Sequence, residues 1–122
     1  DTSEEKSINT FVKKQQIELD IIIEGVGHFF KDQIISLFIL FKTLKSKGLF
    51  VIEELNFPDT RLDMNINNEK PTLKSILLSI KENKDFKSQY ILDEQKKYFL
   101  NYFNSIEIYK GLKNEIAFIT KK

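Results

Sequence analysis

The chain has 122 residues, 19 basic and 18 acidic side chains, and no cysteine. A chain of this length forms one domain or part of one. Its balanced charge excludes an electrostatic footprint for nucleic acid or an anionic membrane. The lack of cysteine excludes disulfides and thiolate chemistry and suits the cytoplasm, where we expect the protein to lie. The longest apolar cluster, Ile34–Phe41, is far shorter than the roughly 20 residues of a membrane span.

The N-terminal part is predicted to form a helix and then a strand. Over Ser3–Gln16, apolar residues recur at helical spacing behind a capping-box pattern. The strand over Glu18–Glu24 is almost continuously apolar, and Gly25 and Gly27 follow it. Because glycine permits tight backbone geometry, these two residues indicate a sharp loop after the strand.

A second helix and a second strand come next. The helix is predicted over Phe29–Lys47 from its apolar spacing, and Gly48 is a natural C-terminal stop. The strand over Leu49–Glu53 is again continuously apolar. Strands of this kind belong to parallel sheets whose two faces are both covered by helices. We therefore expect the two strands to be adjacent and parallel, joined by a right-handed crossover through the helix.

The remainder of the chain is predicted to hold a polar loop, three helices and a closing β-hairpin. The helices cover, in chain order, Pro71–Glu82, Phe86–Ile91 and Asp93–Phe103. The hairpin pairs Ser105–Lys110 with Glu115–Thr120 around a turn of about four residues. We expect this hairpin to join the sheet beside the second strand. The alternation of helices and strands predicts an α/β protein.

Acidic residues lie just past the ends of both predicted parallel strands. Glu24 closes the first strand, and Glu53 and Glu54 close the second. In open α/β sheets, ligands bind outside the carboxyl ends of the strands, so a site is expected there. Carboxylates from neighbouring strands suit a hard cation such as Mg²⁺. The alternative is that the glutamates are simply solvated at their strand ends.

The order of motifs resembles the middle of certain class I S-adenosylmethionine-dependent methyltransferases. The matching segments are DIIIE at 20–24, His28, DQIIS at 32–36 and LKSKGLFVIEEL at 44–55. The similar proteins are bacterial sugar and antibiotic O-methyltransferases and cephalosporin hydroxylase-like proteins, with a pattern of roughly DIIIDDGSH…HQI…LF..LKPGG.YVIEDL. The resemblance spans the chain and is strongest from Asp20 to Leu55. It implies a partial Rossmann-like methyltransferase sheet, with two parallel strands, flanking helices and a C-terminal antiparallel hairpin.

The resemblance also implies an activity and a set of site residues. It implies methyl transfer from S-adenosylmethionine to a hydroxyl of a small or sugar-like substrate, with Mg²⁺ as a further cofactor. Glu24 matches the first acid of the DDGSH segment, and Glu53 and Glu54 match the pair that supplies divalent-metal ligands. His28 matches the loop histidine, which makes it the candidate catalytic base. Gly25 stands where the family has its second acid, a departure that argues against metal binding and catalysis.

The donor-binding signature of this family is missing from the chain. Class I methyltransferases hold the donor mainly with a glycine-rich loop after the first strand and an acid after the second. Here Gly25, Val26 and Gly27 follow a different strand. The resemblance therefore implies that residues 1–122 are one unit, the C-terminal part of a larger methyltransferase-like domain. We expect the isolated chain to be inactive.

Two other functions remain open at this stage. The first is a catalytically degenerate methyltransferase-like module that binds a partner or acts as a scaffold. The second is a phosphoacceptor receiver domain, although the order of acidic residues does not fit one. Without an N-terminal half, the 18–24 strand has an open edge that invites pairing with another chain. We therefore also predict a homodimer through that edge.

Overall fold

The structure is a computed structural model and describes residues 19–24 and 30–122. The predicted helix over Ser3–Gln16 and the loop with His28 lie outside the described residues. The strands are β1 (Leu19–Glu24), β2 (Leu44–Ile52), β3 (Phe103–Lys110) and β4 (Glu115–Lys121). The α-helices are α1 (Phe30–Leu40), α2 (Phe57–Thr60), α3 (Leu73–Lys81) and α4 (Asp93–Tyr102). Short 3-10 turns cover Phe41–Thr43 and Leu62–Met64.

The four strands form one sheet in the order β1-β2-β4-β3. β1 and β2 are parallel, with Ile22 opposite Phe50. β4 lies antiparallel to β2, and β3 lies antiparallel to β4. In the hairpin turn, the Gly111 N–H donates a hydrogen bond of 2.7 Å to the carbonyl oxygen of Asn114. The predicted α/β class, the parallel pair and the hairpin beside the second strand are therefore confirmed.

One face of the sheet packs against the helices and forms the core. Phe50 and Ile119 lie opposite each other on β2 and β4, and both are fully buried. The helices contribute aromatic rings: Phe99 of α4 lies 5.0 Å from Phe38 and 4.7 Å from Phe41, between ring centroids. No helix among residues 19–24 and 30–122 has the length and apolar character of a membrane span.

On the other face of the sheet, two apolar side chains of β1 are exposed. Ile21 and Ile23 of β1 are 59% and 63% exposed, whereas Ile22 between them is buried. The prediction that helices cover both faces is therefore wrong for the described part of the chain. The reason is that successive strand residues point to opposite faces, and the described core lies on the face of Ile22.

The second helix ends earlier than its spacing predicts. α1 stops at Leu40, a 3-10 turn follows, and β2 already begins at Leu44, which is buried. Gly48 is inside the strand and is not a helix stop. The pairing of β1 with β2 shifts register here, and Lys47 takes the left-handed conformation, with φ of 67°. Because Leu44 packs into the core from an extended backbone, tertiary contacts override the helical pattern.

Other predicted boundaries are corrected in detail. The 86–91 segment contains no helix. α3 begins at Leu73 and not at Pro71, because the Thr72 hydroxyl caps it by accepting a hydrogen bond from the Ser75 N–H at 3.3 Å. α4 begins as predicted, and the Gln95 side chain accepts a bond from the Leu92 N–H at its start.

Candidate functional site

The ends of the two parallel strands lie side by side at one edge of the sheet. Glu24, the last residue of β1, is the register partner of Ile52, the last residue of β2. Adjacent strands are about 5 Å apart, so residues that follow these two positions start close together. Glu53 and Glu54 follow β2 directly. We call this carboxyl edge of β1 and β2 the strand-end site.

The two glutamates after β2 occupy different surroundings. Glu53 is exposed, whereas Glu54 is half-buried. Glu54 has φ of 55°, a left-handed conformation that is uncommon for a residue with a side chain. Its carbonyl oxygen accepts a hydrogen bond from the Phe57 N–H at 3.2 Å. The chain therefore turns sharply as it leaves the sheet, and the two side chains do not act as an equivalent pair.

The first turn of α1 adds two buried polar residues to this edge. Gln33 is 1% exposed, and its Nε2 donates a hydrogen bond of 3.0 Å to the carbonyl oxygen of Glu54. Asp32 is 8% exposed. The remaining acceptor atoms, Gln33 Oε1 and Asp32 Oδ1, are buried without a hydrogen-bond partner. Buried acceptors in this state are rare and are suited to a bound hydrogen-bond donor or cation.

Asp32 and Gln33 entered the sequence-based prediction only as part of the DQIIS segment of the resemblance, and neither was given a role in the site. The available signal was the position of two polar residues at the start of an otherwise apolar helix. That signal is weak, because polar residues are common in first turns. Their burial depends on α1 packing against the turn after β2, which local sequence does not show.

The described side chains do not assemble a metal site by themselves. Among residues 19–24 and 30–122, no group of three or more His, Cys, Asp or Glu side chains could hold a metal ion. Mg²⁺ requires several oxygen ligands in near-octahedral geometry. Of the predicted ligands, Glu53 is exposed to solvent. The loop with His28 lies outside the described residues, so the predicted catalytic base stays a prediction.

A cavity of about 500 Å³ opens beside the first residue of α1. Because α1 leaves the carboxyl end of β1, this position faces the same edge of the molecule as the strand-end site. The cavity is lined by aromatic and apolar side chains and by charged and polar ones: Phe30, Phe86, Tyr90, Ile91, Glu69, Lys70, Lys87, Ser88, Gln89, Asp93 and Lys96. This volume is typical of small-molecule sites. We call it the α1 cavity.

Two hydrogen bonds hold the Glu69 carboxylate in the α1 cavity. Its Oε1 accepts hydrogen bonds from the Tyr90 hydroxyl at 2.5 Å and from Gln89 Nε2 at 3.0 Å. The hydrogen bond to the Glu69 carboxylate raises the pKa of Tyr90, and burial acts in the same direction. The Tyr90 ring meets Phe30 edge-to-face, with centroids 5.7 Å apart. The phenol therefore stays protonated and holds the carboxylate in one position.

Lys96 is already paired at the edge of the same cavity. Its Nζ lies 2.7 Å from Asp85 Oδ1, donates to the Phe86 carbonyl oxygen, and sits 4.4 Å from the Phe86 ring centroid. The hydrogen bond from Lys96 lowers the pKa of Asp85. Lys96 thus supports the 85–86 segment and is paired with Asp85 there.

Comparison with solved structures finds similar folds. One is the MycE methyltransferase from the mycinamycin biosynthetic pathway in complex with Mg, SAH and mycinamycin VI. It is 17% identical with a TM-score of 0.61, and the match covers 96% of this chain and 29% of that one. A second structure of MycE, with Mg and SAH, is 17% identical with a TM-score of 0.63, covering 99% and 31% of the two chains.

These matches show that the chain has the fold of part of a methyltransferase. The chain spans less than a third of the length of either similar structure. No protein-family model matches the sequence, and no curated protein matches it. The likeness therefore concerns the arrangement of helices and strands.

Proposed function

We propose that this chain is part of an S-adenosylmethionine-dependent methyltransferase that methylates a hydroxyl group of a small or sugar-like substrate. The observation that carries the proposal is the match of nearly the whole chain to the fold of a methyltransferase, with TM-scores of 0.61 and 0.63. The names of both similar structures include SAH and Mg. The strand-end site lies where ligands bind in open α/β sheets, which agrees with this function.

The proposed reaction requires a base and correct alignment of the two reactants, and residues of this chain are proposed for both roles. The new bond joins the acceptor oxygen to the methyl group, while the bond from that methyl to the donor sulfur breaks. The hydroxyl proton goes to a base, and His28 is the proposed base. Gln33 fixes the start of α1 against the turn after β2. Positioning of this kind supplies much of the rate when two reactants must be aligned.

We further propose that the donor is held mainly by polypeptide outside this chain, in a larger domain of which residues 1–122 are the C-terminal part. The exposed face with Ile21 and Ile23 supports this, because parallel sheets are covered on both faces. The α1 crossover from β1 to β2 leaves the apolar face of Ile21 without a described helix. A further parallel strand could pair with the free edge of β1, on the side away from β2. A right-handed crossover between that strand and β1 would place its helix on the face of Ile21. The donor site then lies where the strand order reverses, beside β1.

Titration calorimetry with S-adenosylmethionine tests the proposal. The isolated chain is expected to bind the donor weakly or not at all. The full-length protein that contains it is expected to bind the donor and to transfer a labelled methyl group to a hydroxylated acceptor. Failure of the full-length protein to bind the donor would overturn the proposal.

That failure would favour the alternative, a catalytically degenerate methyltransferase-like module that binds or scaffolds a partner. Two observations motivate it. Gly25 stands in place of an acid, and the described residues contain no metal-ligand cluster. Mg²⁺ is accordingly not assigned a step in the reaction.

A further inference from the structure

We propose that the α1 cavity binds the methyl acceptor and that Glu69, held by Tyr90 and Gln89, accepts hydrogen bonds from the acceptor's hydroxyl groups. This inference rests on the function proposed above. It assigns a binding role to Glu69, Tyr90 and Gln89, which lie outside the segment on which the methyltransferase resemblance is strongest. The ligand class is a neutral ring that carries hydroxyl groups.

The first step is the state of the Glu69 carboxylate. Tyr90 and Gln89 both donate to Oε1, so this oxygen is fixed and partly saturated. No described hydrogen bond reaches Oε2. An ionised carboxylate accepts hydrogen bonds and donates none. Glu69 therefore selects a ligand with donor groups, and charge-assisted bonds of this kind are stronger than those between neutral groups.

The second step is the shape of the wall. Phe30 and Tyr90 form an edge-to-face aromatic pair at one side of the cavity. Phe30 and Phe86 are buried, whereas Tyr90 is half-buried. Aromatic walls with a few fixed polar groups are typical of sites that bind a small ring and set its orientation. The apolar face of a hydroxylated ring can pack on these side chains while its hydroxyls point to Glu69.

The third step is the net charge of the cavity. Lys70 and Lys87 balance Glu69 and Asp93, and the lining's remaining lysine is paired with an aspartate. Neither a cation nor an anion is therefore favoured overall. A neutral ligand that satisfies a carboxylate has to supply hydrogen-bond donors, which a hydroxylated ring does.

The fourth step is the position of the cavity. Phe30 follows His28 by two residues in the sequence and begins α1. A ring seated against Phe30 lies at the start of α1, which the Gln33 hydrogen bond holds against the turn after β2. A bound acceptor therefore lies at the same edge of the molecule as the strand-end site.

The test is an NMR titration of the chain without any donor. The probe is methyl α-D-glucopyranoside, a neutral ring with adjacent hydroxyls, and inorganic phosphate serves as the competing anion. We expect the sugar to shift the amide signals of residues 69–70 and 86–91, and phosphate to leave them unchanged. The variant Glu69→Gln keeps an acceptor for Tyr90 but removes the charge, so affinity should fall about tenfold, close to 1.4 kcal/mol. The control Glu94→Gln, an exposed residue outside the cavity lining, should bind like the parent chain.

Tyr90→Phe supplies a second measurement, because it frees the carboxylate without changing its charge. It should weaken sugar binding by several-fold while amide dispersion stays native. If that variant loses its fold, Gln89→Ala replaces it, since Gln89 is exposed. Absence of sugar-induced shifts in the parent chain, equal affinity of Glu69→Gln, or stronger shifts with phosphate would each overturn the inference.

The outcome is separable from that of the proposed function. Sugar binding needs no donor, so its failure leaves donor binding and methyl transfer by the full-length protein untouched. Conversely, the full-length protein could bind the sugar through Glu69 but not bind the donor. That result would overturn the methyltransferase proposal and with it the role of the sugar as methyl acceptor. The α1 cavity would then be a sugar-binding site only.

Discussion

Gln33 and Glu54, which are 21 residues apart in the sequence, are joined by a 3.0 Å hydrogen bond from the Gln33 Nε2 to the Glu54 carbonyl oxygen. This bond ties the first turn of α1 to the turn after β2. It is one contact that holds the start of α1 against the end of β2 at the strand-end site.

The variant Gln33→Glu tests this contact through pH. Burial raises the pKa of the new carboxyl above its unfolded value of about 4.3, and each unit costs about 1.4 kcal/mol. Below pH 4 the protonated group can donate to the Glu54 carbonyl, so little stability is lost. The loss of folding stability should grow as pH rises from the unfolded pKa of the new carboxyl to its folded pKa, and it should stay constant above the folded pKa. Urea unfolding from pH 3.5 to 8 measures it, and Asn67→Asp at an exposed site is the control. A pH-independent difference would contradict the assignment.

Gly48 is required for close packing inside β2. A Cβ at this position would lie 2.8 Å from both Cγ and Cδ1 of Leu44 and 2.8 Å from the Lys45 carbonyl oxygen. Gly48→Ala should therefore destabilise the protein by roughly 1–3 kcal/mol through overpacking. Gly111→Ala, whose nearest contacts are 3.1 Å away in the hairpin turn, is the matched control and should cost less. Thermal unfolding of both variants measures the loss of stability. An equal loss in the two variants would argue against the packing explanation.

Lys121 links the last strand, β4, to the 3-10 turn before β2, to the start of β2 and to α4 through hydrogen bonds. Its buried ammonium donates to the carbonyl oxygen of Leu44 at 2.6 Å, to that of Phe41 at 3.2 Å and to the Tyr98 hydroxyl at 2.6 Å. Lys121→Met leaves these acceptors without their charged donor and should cost roughly 2–3 kcal/mol. The exposed neighbour Lys122, changed to Met in the same way, should have little effect. A Lys121→Met protein as stable as the parent in urea would show that water replaces the ammonium.

The open edge of β1 predicts self-association of the isolated chain. Ile21 and Ile23 are mostly exposed beside a strand edge that no described strand pairs with. The double change Ile21→Lys and Ile23→Lys should yield a monomer in sedimentation velocity, with stability changed by less than about 1 kcal/mol because both sites are exposed. Leu112→Lys, which removes an exposed leucine at the hairpin turn, should leave association unchanged. A parent chain that stays monomeric at high concentration would refute the predicted homodimer.

The acidic residues after β2 give a prediction for metal addition. A ligand stabilises a folded protein by RT ln(1 + L/Kd), where L is the free ligand concentration, and this quantity is close to zero when L is far below Kd. Since the described residues lack a three-ligand cluster, millimolar Mg²⁺ should leave the melting temperature of the chain unchanged. A rise with Mg²⁺ that disappears in the double variant Glu53→Gln, Glu54→Gln would instead establish a metal site at the strand ends.

The sequence by itself determined the elements whose signals are local. The apolar runs of β1 and β2, the alternation of the hairpin strands and the turn residues at 111–114 sufficed to predict a parallel pair followed by an antiparallel hairpin. These signals work because strand periodicity and turn chemistry depend on neighbouring residues. The position of the acidic residues at the strand ends follows from the same pattern.

Only the tertiary structure decided features that depend on distant contacts. β2 begins at Leu44, inside the predicted helix, because that side chain packs into the core and the register with β1 shifts there. The hydrogen bonds from Tyr90 and Gln89 to Glu69 link residues some twenty positions apart, and no local pattern marks them. Exposure of Ile21 depends on which face the helices cover, and periodicity reports only that two faces exist. Burial and long-range pairing follow from the packing of the whole chain, and a window of sequence contains neither.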